Sequence, residues 1–158
     1  MNGRALFLAT VSFAVSFAAW GLIGGLAPVF SDLYALTASQ TALLVAVPVL
    51  LGSLARLPMG MLTDRYGGRA MFTTLLVVSA AAAWLVSFTS SYTSLLASAF
   101  FIGLAGSSFA IGAAFVSRWT PPAKQGTALG AFGLGLLGQS LAVFGGAVAA
   151  VVLGASGA

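Results

Sequence analysis

The side chain with the clearest chemical potential is an arginine inside an apolar stretch. Arg56 is the only charged residue between Asp32 and Asp64. An arginine at the centre of a membrane helix costs roughly 2.5 to 3.5 kcal/mol on insertion scales, and such residues usually have a function. A guanidinium presents a planar fork of N–H donors that matches flat oxyanions. Arg56 is therefore a candidate anion-binding residue, with snorkelling, or pairing with a carbonyl freed by Pro58, as the alternative.

The sequence lacks the side chains that catalysis would require. The chain has no cysteine and no histidine, and its two carboxylates, Asp32 and Asp64, lie at predicted span ends. It therefore offers no thiol nucleophile, no imidazole base, no Cys/His metal site and no buried acid pair. We predict that the protein is not an enzyme and has neither a metal site nor a cofactor. The few basic residues form no cluster, so we predict no nucleic-acid partner.

The surroundings of Arg56 are those of an integral membrane protein. The 158 residues are 60% hydrophobic and 5% charged, with a mean hydropathy of +1.10, whereas about 25% of the residues of a soluble domain are charged. We expect an all-α fold, a polytopic membrane helix bundle in which residues 1–158 form a single transmembrane domain. The predicted transmembrane helices, numbered here as spans 1 to 5, cover about residues 5–30, 41–62, 70–88, 93–116 and 126–153.

The N-terminus has a second interpretation as a secretory signal. Arg4 is followed by apolar residues, and small residues occur near Ala18. The uncharged run continues to Ser31, however, which is longer than the apolar core of roughly 7 to 15 residues in a signal peptide. We therefore expect a first transmembrane helix, which needs about 20 apolar residues.

Basic residues outside the spans predict the orientation of the chain. If the spans alternate in direction, one side of the membrane has Asp32 and no lysine or arginine. The other side holds Arg4, Arg65, Arg69, Arg118 and Lys124. Because cytoplasmic loops are enriched in Lys and Arg, the N-terminus and the loops after spans 2 and 4 are predicted to be cytoplasmic. The expected location is the inner (plasma) membrane, crossed several times.

An aromatic residue and a row of glycines are further candidates for a solute path. Phe109 in span 4 would wall a planar solute if it faced the same cavity as Arg56, and packing or lipid contact is the alternative role. Gly126, Gly130 and Gly133 in span 5 are spaced i, i+4 and i+7, a stripe that lets another helix approach closely. Most such glycines serve packing, whereas a few leave room for a solute.

A charged, glycine-containing turn is predicted after span 2, over residues 63–69. Its charged residues, Asp64, Arg65 and Arg69, are most simply solvated and fix the topology. The alternative is a charge latch that holds one conformation by contacting another helix end and releases it in another conformation.

The same segment resembles a motif of the major facilitator superfamily. The residues Gly60, Asp64, Arg65, Gly67 and Arg69 of GMLTDRYGGR are similar to the loop between helices 2 and 3 of those transporters. In that superfamily the loop stabilises the outward-facing state by packing on helices of the other half. The resemblance implies that these residues form a gating loop, with Asp64 and Arg65 as the gating charges.

A narrower resemblance covers about residues 48–138. Arg56, Leu57 and Pro58 follow Pro48, and they are succeeded by GLAGSSF in span 4, PPAKQGTALG in the next loop and a glycine-rich span 5. This order of motifs is similar to that of the nitrate/nitrite porter family, a branch of the same superfamily.

The resemblance implies roles for three residues. In those porters an arginine in helix 2 binds the anion, an aromatic residue in helix 4 packs on it and a glycine-rich helix 5 lines the path. By motif position these roles fall on Arg56, Phe109 and Gly133. The family usually has an asparagine a little past this glycine, where the present chain has Leu136 and Leu137.

Both resemblances imply secondary active transport of a small anion by alternating access. Nitrate or nitrite is the first candidate for that anion. Family members have twelve helices in two halves, so the chain resembles a truncated N-terminal half whose partner is a missing C-terminal half. Two alternatives stay open: a superfamily transporter for a carboxylate, sugar or drug, and a truncated fragment that transports nothing. The spans contain no carboxylate, which argues against a proton relay in this portion and leaves anion exchange open.

Overall fold

Five helical spans make up the part of the chain that the structure, a computed structural model, describes, residues 3–155. Each is long and apolar enough to cross a membrane. The spans are Gly3–Gly25, Ala38–Tyr66, Gly68–Val86, Tyr92–Arg118 and Pro122–Ala149. No β-strand occurs within residues 3–155. The predicted all-α class with five membrane spans is therefore confirmed.

Span 1 ends earlier than the predicted residue 30. The first helix runs Gly3–Gly25, and a separate short helix, Ala27–Leu33, follows it with Pro28 in its first turn. Proline has no N–H, so Pro28 cannot donate to the carbonyl of Gly24 as a continuous helix would require. The missing bond explains why the helix is interrupted at this point.

Span 2 begins three residues earlier than predicted because its first turn is capped. The Gln40 backbone N–H donates to Thr37 Oγ1 at 3.3 Å, and the Thr37 N–H donates to Gln40 Oε1 at 2.9 Å. This reciprocal capping box satisfies two backbone donors that the helix itself leaves free. The helix then continues through Pro48 and Pro58.

The predicted turn after span 2 is wrong in its extent. The helix continues to Tyr66, so Asp64 and Arg65 lie in its last turn, and the next helix begins at Gly68. The reversal is concentrated at Gly67, whose φ is 85°. Only glycine adopts such a positive φ without a steric penalty, which is why a single residue suffices.

Spans 4 and 5 each contain a short 3-10 segment near the middle. In span 4 the helices Tyr92–Gly103 and Ser108–Arg118 flank the 3-10 segment Leu104–Ser107. Span 5 consists of Pro122–Lys124, Gln125–Gly133, Leu134–Leu136 and Leu137–Ala155, of which the first and third pieces are 3-10. Such changes of helix type often mark functional positions. Phe109 and Gly133 lie next to the two central 3-10 segments.

Glycines bring spans 2 and 4 into backbone contact. A Cβ atom at Gly52 would lie 2.9 Å from the Gly103 carbonyl oxygen and 3.3 Å from Gly106 Cα. A Cβ atom at Gly103 would lie 2.8 Å from the Pro48 carbonyl oxygen. Residue numbers increase together along both helices, so the two spans run parallel, with Gly52 level with Gly103 to Gly106. Close approach of this kind is the main source of helix association in lipid.

Spans 1 and 5 meet through a different row of glycines from the predicted one. A side chain at Gly138 would clash with the Ala14 carbonyl, and a Cβ atom at Gly25 would lie 2.9 Å from Val143 Cα. By contrast, a Cβ atom at Gly126, Gly130 or Gly133 would meet nothing within 4 Å. The predicted stripe therefore makes no close helix contact within residues 3–155. Ala128, Phe132 and Gly135 have the same i, i+4, i+7 spacing on another face of span 5, and all three of these residues are buried.

The two ends of the bundle are closed in different ways. At the end that holds Tyr34, its hydroxyl donates to the Thr89 carbonyl at 2.8 Å, and the Tyr92 hydroxyl donates to the Gln40 carbonyl at 3.2 Å. At the opposite end, which holds Gly67, the Gln125 side-chain amide donates to the Ser117 carbonyl in the last turn of span 4 and to the Thr120 carbonyl in the loop that follows. We call these the Tyr34 end and the Gly67 end.

Candidate functional site

Arg56 lies at the same level of the bundle as Phe109. It follows Gly52 by four residues, about 6 Å along the helix axis. Gly52 is level with Gly103 to Gly106 in the parallel span 4, so a similar step along that helix reaches Phe109. The Arg56 side chain is exposed within the described bundle, whereas Ala55 beside it is buried. The two predicted residues therefore share a depth on neighbouring spans.

On span 2, Arg56 falls on the same helical stripe as two valines that face spans 1 and 5. At about 100° per residue, Val45, Val49 and Arg56 fall within a sector of roughly 40°. Both valines line a cavity of about 80 Å³ whose other walls come from spans 1 and 5. We call this side of the bundle the Arg56 face.

Phe109 belongs to a group of three aromatic rings from spans 1, 4 and 5. The ring centroid of Phe109 is 5.7 Å from that of Phe13 and 6.0 Å from that of Phe132, and the last two rings are stacked at 4.6 Å. Phe13 and Phe132 are fully buried, while Phe109 is 41% exposed. The buried pair therefore fixes the position of Phe109 and leaves part of its ring open to a solute.

Gly133 is adjacent to this aromatic group through its neighbour Phe132. A Cβ atom at Gly133 would meet nothing within 4 Å, so the position borders open space. Phe132 packs against Phe109, which places Gly133 close to the predicted aromatic wall. Gly133 thus follows a ring that packs on Phe109, and Arg56 lies at the level of Phe109 on span 2.

The predicted gating residues divide between two cavities at the Gly67 end. Asp64, Arg65 and Gly67 line a cavity of about 340 Å³ together with Arg118 from the end of span 4. Arg69 instead lines a cavity of about 700 Å³ on the other side of span 3. Asp64 and Arg65 therefore lie on a different cavity from Arg69.

The segment that holds the predicted gating residues makes two local contacts: a glycine packs on an aromatic ring, and an arginine forms a cation–π pair. Gly68 packs on Phe115, because a Cβ atom there would lie 2.7 Å from Phe115 Cδ2. The Arg65 guanidinium carbon lies 5.4 Å from the centroid of the Tyr66 ring, within cation–π range. Gly60 is half-buried, and a Cβ atom there would meet nothing within 4 Å. Gly68 is thus the packing glycine of the segment.

The cavity of about 700 Å³ that Arg69 lines does not contain the predicted anion-binding residues. Its 700 Å³ lies between spans 1, 3 and 4, and its walls are mainly apolar, with Leu8, Phe72 and Leu76 among them. Neither Arg56 nor Phe109 contributes to it. Its polar lining residues are Ser12, Arg69, Thr73 and Trp119, so this cavity has hydrogen-bond donors of its own but lacks the residues predicted to bind the anion.

Two polar residues on the Arg56 face are not among the residues predicted from the sequence. Trp20 donates its Nε1–H to the Pro48 carbonyl at 3.3 Å and so ties span 1 to span 2. Gln139 in span 5 lines the 80 Å³ cavity together with Trp20. The available signal for Gln139 was a side-chain amide inside an apolar run, since polar residues within membrane spans are costly and often functional.

Comparison with known proteins identifies the family of the chain and several relatives that are named as transporters. Residues 9–158 match the model of the Major Facilitator Superfamily. The chain is 45% identical to the probable nitrate/nitrite antiporter NarK1 of Thermus thermophilus over 89% of its own length, which is 32% of that protein. It is 40% identical to the probable nitrate/nitrite transporter NarK2 of Mycobacterium tuberculosis (strain H37Rv), covering 91% of this chain and 38% of that protein.

A more distant relative carries a similar name. The probable nitrate transporter NarT of Staphylococcus carnosus is 32% identical, over 90% of this chain and 37% of that protein. No solved structure matches the chain significantly. The chain thus spans between about a third and two fifths of the length of the curated relatives that it matches. Since the family model covers nearly the whole chain, this multi-pass membrane protein belongs to the major facilitator superfamily.

Proposed function

We propose that the chain contributes the anion-binding part of a secondary transporter for nitrate and nitrite that works by alternating access. The observation that carries this proposal is the shared depth of Arg56 and the partly exposed Phe109 ring on neighbouring spans. Relatives named as nitrate or nitrite transporters at 32 to 45% identity support the choice of solute.

The chemistry of the site suits a small planar anion. The Arg56 guanidinium would donate two parallel N–H bonds to two oxygens of nitrate, which a lysine ammonium cannot do. The open part of the Phe109 ring would contact the flat face of the anion, and Gly133 would leave space beside it. A single guanidinium that is exposed on one bundle binds weakly in water, so we infer that a second half of the transporter closes the site.

The Gly67 end supplies the proposed gate. Asp64 and Arg65 lie in the last turn of span 2, beside a cavity that also exposes Arg118. Charges at this position would pair with helix ends of the second half in one conformation and separate in the other. By the positive-inside rule we expect this end and the N-terminus to be cytoplasmic, with the protein in the inner (plasma) membrane.

The test is nitrate transport by a chimaera in which this chain replaces the matching segment of the Thermus thermophilus relative. In proteoliposomes, Arg56→Lys should lower nitrate counterflow at least tenfold, because a charged hydrogen bond contributes about 1.5 to 3 kcal/mol. Arg4→Lys is the matched control, since Arg4 is also exposed and lies outside the site. Unimpaired counterflow in Arg56→Lys would remove Arg56 from the site.

The same assay separates the other candidate solutes. Formate, acetate and a neutral sugar are added in excess over labelled nitrate, and only nitrite should compete strongly if the site selects small inorganic oxyanions. Strong competition by formate or acetate would indicate a transporter for organic anions instead. A monodisperse chimaera without nitrate flux would contradict the transport proposal itself.

A further inference from the structure

A single uncommitted hydrogen-bond donor lines the 80 Å³ cavity on the Arg56 face. Gln139 is half-buried there. Trp20, the other polar member, already donates its indole N–H to the Pro48 carbonyl. The remaining walls are Gly21, Ile23, Gly24, Val45, Val49 and Val143 with Pro48. Within residues 3–155 the Gln139 amide makes no hydrogen bond, so its N–H groups are free for a solute.

The backbone of span 1 makes room for Gln139. A Cβ atom at Gly21 would lie 3.0 Å from Gln139 Cγ and 3.1 Å from its carbonyl oxygen. A larger residue at position 21 would therefore push against the stem of the glutamine. Gly24, one turn further along span 1, also lines the cavity, and a Cβ atom there would meet nothing within 4 Å. Gly21 thus allows Gln139 to pack closely on span 1, and Gly24 leaves space in the cavity beside it.

The cavity and Arg56 lie on one line along the bundle. Val49 in the cavity wall and Arg56 are seven residues apart on the same stripe of span 2, about 10 Å along the axis. The cavity is on the Tyr34 side of Arg56, because residue numbers in span 2 decrease toward that end. A solute that enters from the Tyr34 end and follows this face meets Gln139 before it meets Arg56.

We propose that Gln139 forms an outer anion site, where its side-chain N–H donates to an oxygen of a small oxyanion that then passes to Arg56. This inference rests on the proposed function, since it places the site on the path of the same solute. A neutral amide binds an anion more weakly than a guanidinium does, so the anion moves toward the stronger site. Weak binding at the entrance is what a transport path requires, because a tightly held ion would not move on.

Trp20 provides a local probe for this site. In a Trp84→Phe, Trp119→Phe background, Trp20 is the only tryptophan of the 158-residue chain, and it shares the cavity with Gln139. The chain in lipid nanodiscs is titrated with sodium nitrate, with sodium chloride keeping the ionic strength constant. We expect a saturable change in Trp20 fluorescence. The apparent Kd should rise at least tenfold in Gln139→Met, which keeps the length of the side chain and removes the amide.

Two variants control for packing. Gln139→Glu keeps the shape of the side chain and replaces the amide nitrogen by an oxygen, so it should weaken the response as strongly as Gln139→Met does. Ser140→Ala changes the exposed neighbouring residue and should leave the Kd within about twofold. All variants are compared only where size exclusion gives the same monodisperse peak. A saturable response that is equal in Gln139→Met, Gln139→Glu and the parent would overturn the outer site.

The variant Arg56→Gln shows whether the outer site at Gln139 binds an anion independently of Arg56. A saturable Trp20 response that survives in Arg56→Gln and is lost in Gln139→Met supports an independent outer site. Loss in Arg56→Gln with retention in Gln139→Met would overturn it and leave Arg56 as the binding residue. If the chimaera carries no nitrate while the Gln139-dependent response persists, the transport proposal fails and the outer binding site stands.

Discussion

At the scale of single residues, the site depends on how Phe109 is held. Its ring lies 5.7 Å from Phe13 and 6.0 Å from Phe132, and those two rings stack on each other without it. The buried pair is therefore the packing unit, and Phe109 adds an exposed edge to it. A change at Phe109 should consequently affect a bound solute more than it affects folding.

We therefore expect Phe109→Leu to weaken nitrate binding by roughly two- to tenfold, because an aromatic contact contributes about 0.5 to 1.5 kcal/mol beyond its buried area. The concentration dependence of nitrate counterflow in the chimaera measures the change. Phe100→Leu is the matched control, since Phe100 is 44% exposed in the same span and pairs with Phe101 instead. Equal effects of both substitutions would show that Phe109 has no special role.

At the scale of elements, the sequence predicted the number of helices better than their faces. Apolar runs separated by polar residues were enough for five spans. The charged Asp64 and Arg65 suggested a turn, although the helix continues through them until Gly67 allows the reversal. Span 2 is apolar on nearly every side, so its periodicity gives the depth of Arg56 but not the direction in which it points.

The contact glycines could not be identified for a related physical reason. The spacing of Gly126, Gly130 and Gly133 fits a single α-helix, and these glycines do lie in one, Gln125–Gly133, but spacing alone does not tell which face of that helix is buried. Its buried residues are Ala128 and Phe132 instead. Gln139 was missed because one amide gives no periodic signal, and its importance appears only when spans 1 and 2 enclose it.

The two kinds of glycine in span 5 should respond oppositely to the same substitution. Gly138→Ala should destabilise the bundle by about 1 to 3 kcal/mol, since the added methyl group would clash with the Ala14 backbone. Gly130→Ala should leave stability unchanged or raise it by up to about 1 kcal/mol, because the methyl group enters open space and alanine favours the helix. Thermal unfolding in one detergent compares the two. A neutral Gly138→Ala would contradict the close contact of spans 1 and 5.

At the scale of the whole molecule, the two ends of the bundle differ in charge and in the groups that close them. The Tyr34 end is joined by tyrosine hydroxyls that donate to backbone carbonyls, with Asp32 as the charge nearby. The Gly67 end exposes Arg65, Arg69 and Arg118. A path that runs from the cavity of Gln139 to Arg56 therefore leads toward the positively charged end, which would favour the movement of an anion toward that end.

This charge asymmetry predicts the orientation, and the absence of native cysteines makes the test direct. We place single cysteines at Ser90, an exposed residue between spans 3 and 4, and at Lys124, an exposed residue in the first turn of span 5. A membrane-impermeant maleimide should label Ser90→Cys in intact cells and Lys124→Cys only after permeabilisation, because basic loops stay in the cytoplasm. The opposite labelling pattern would show that the orientation is the reverse of the predicted one. Solute from outside would then reach Arg56 from the Gly67 end, before Gln139.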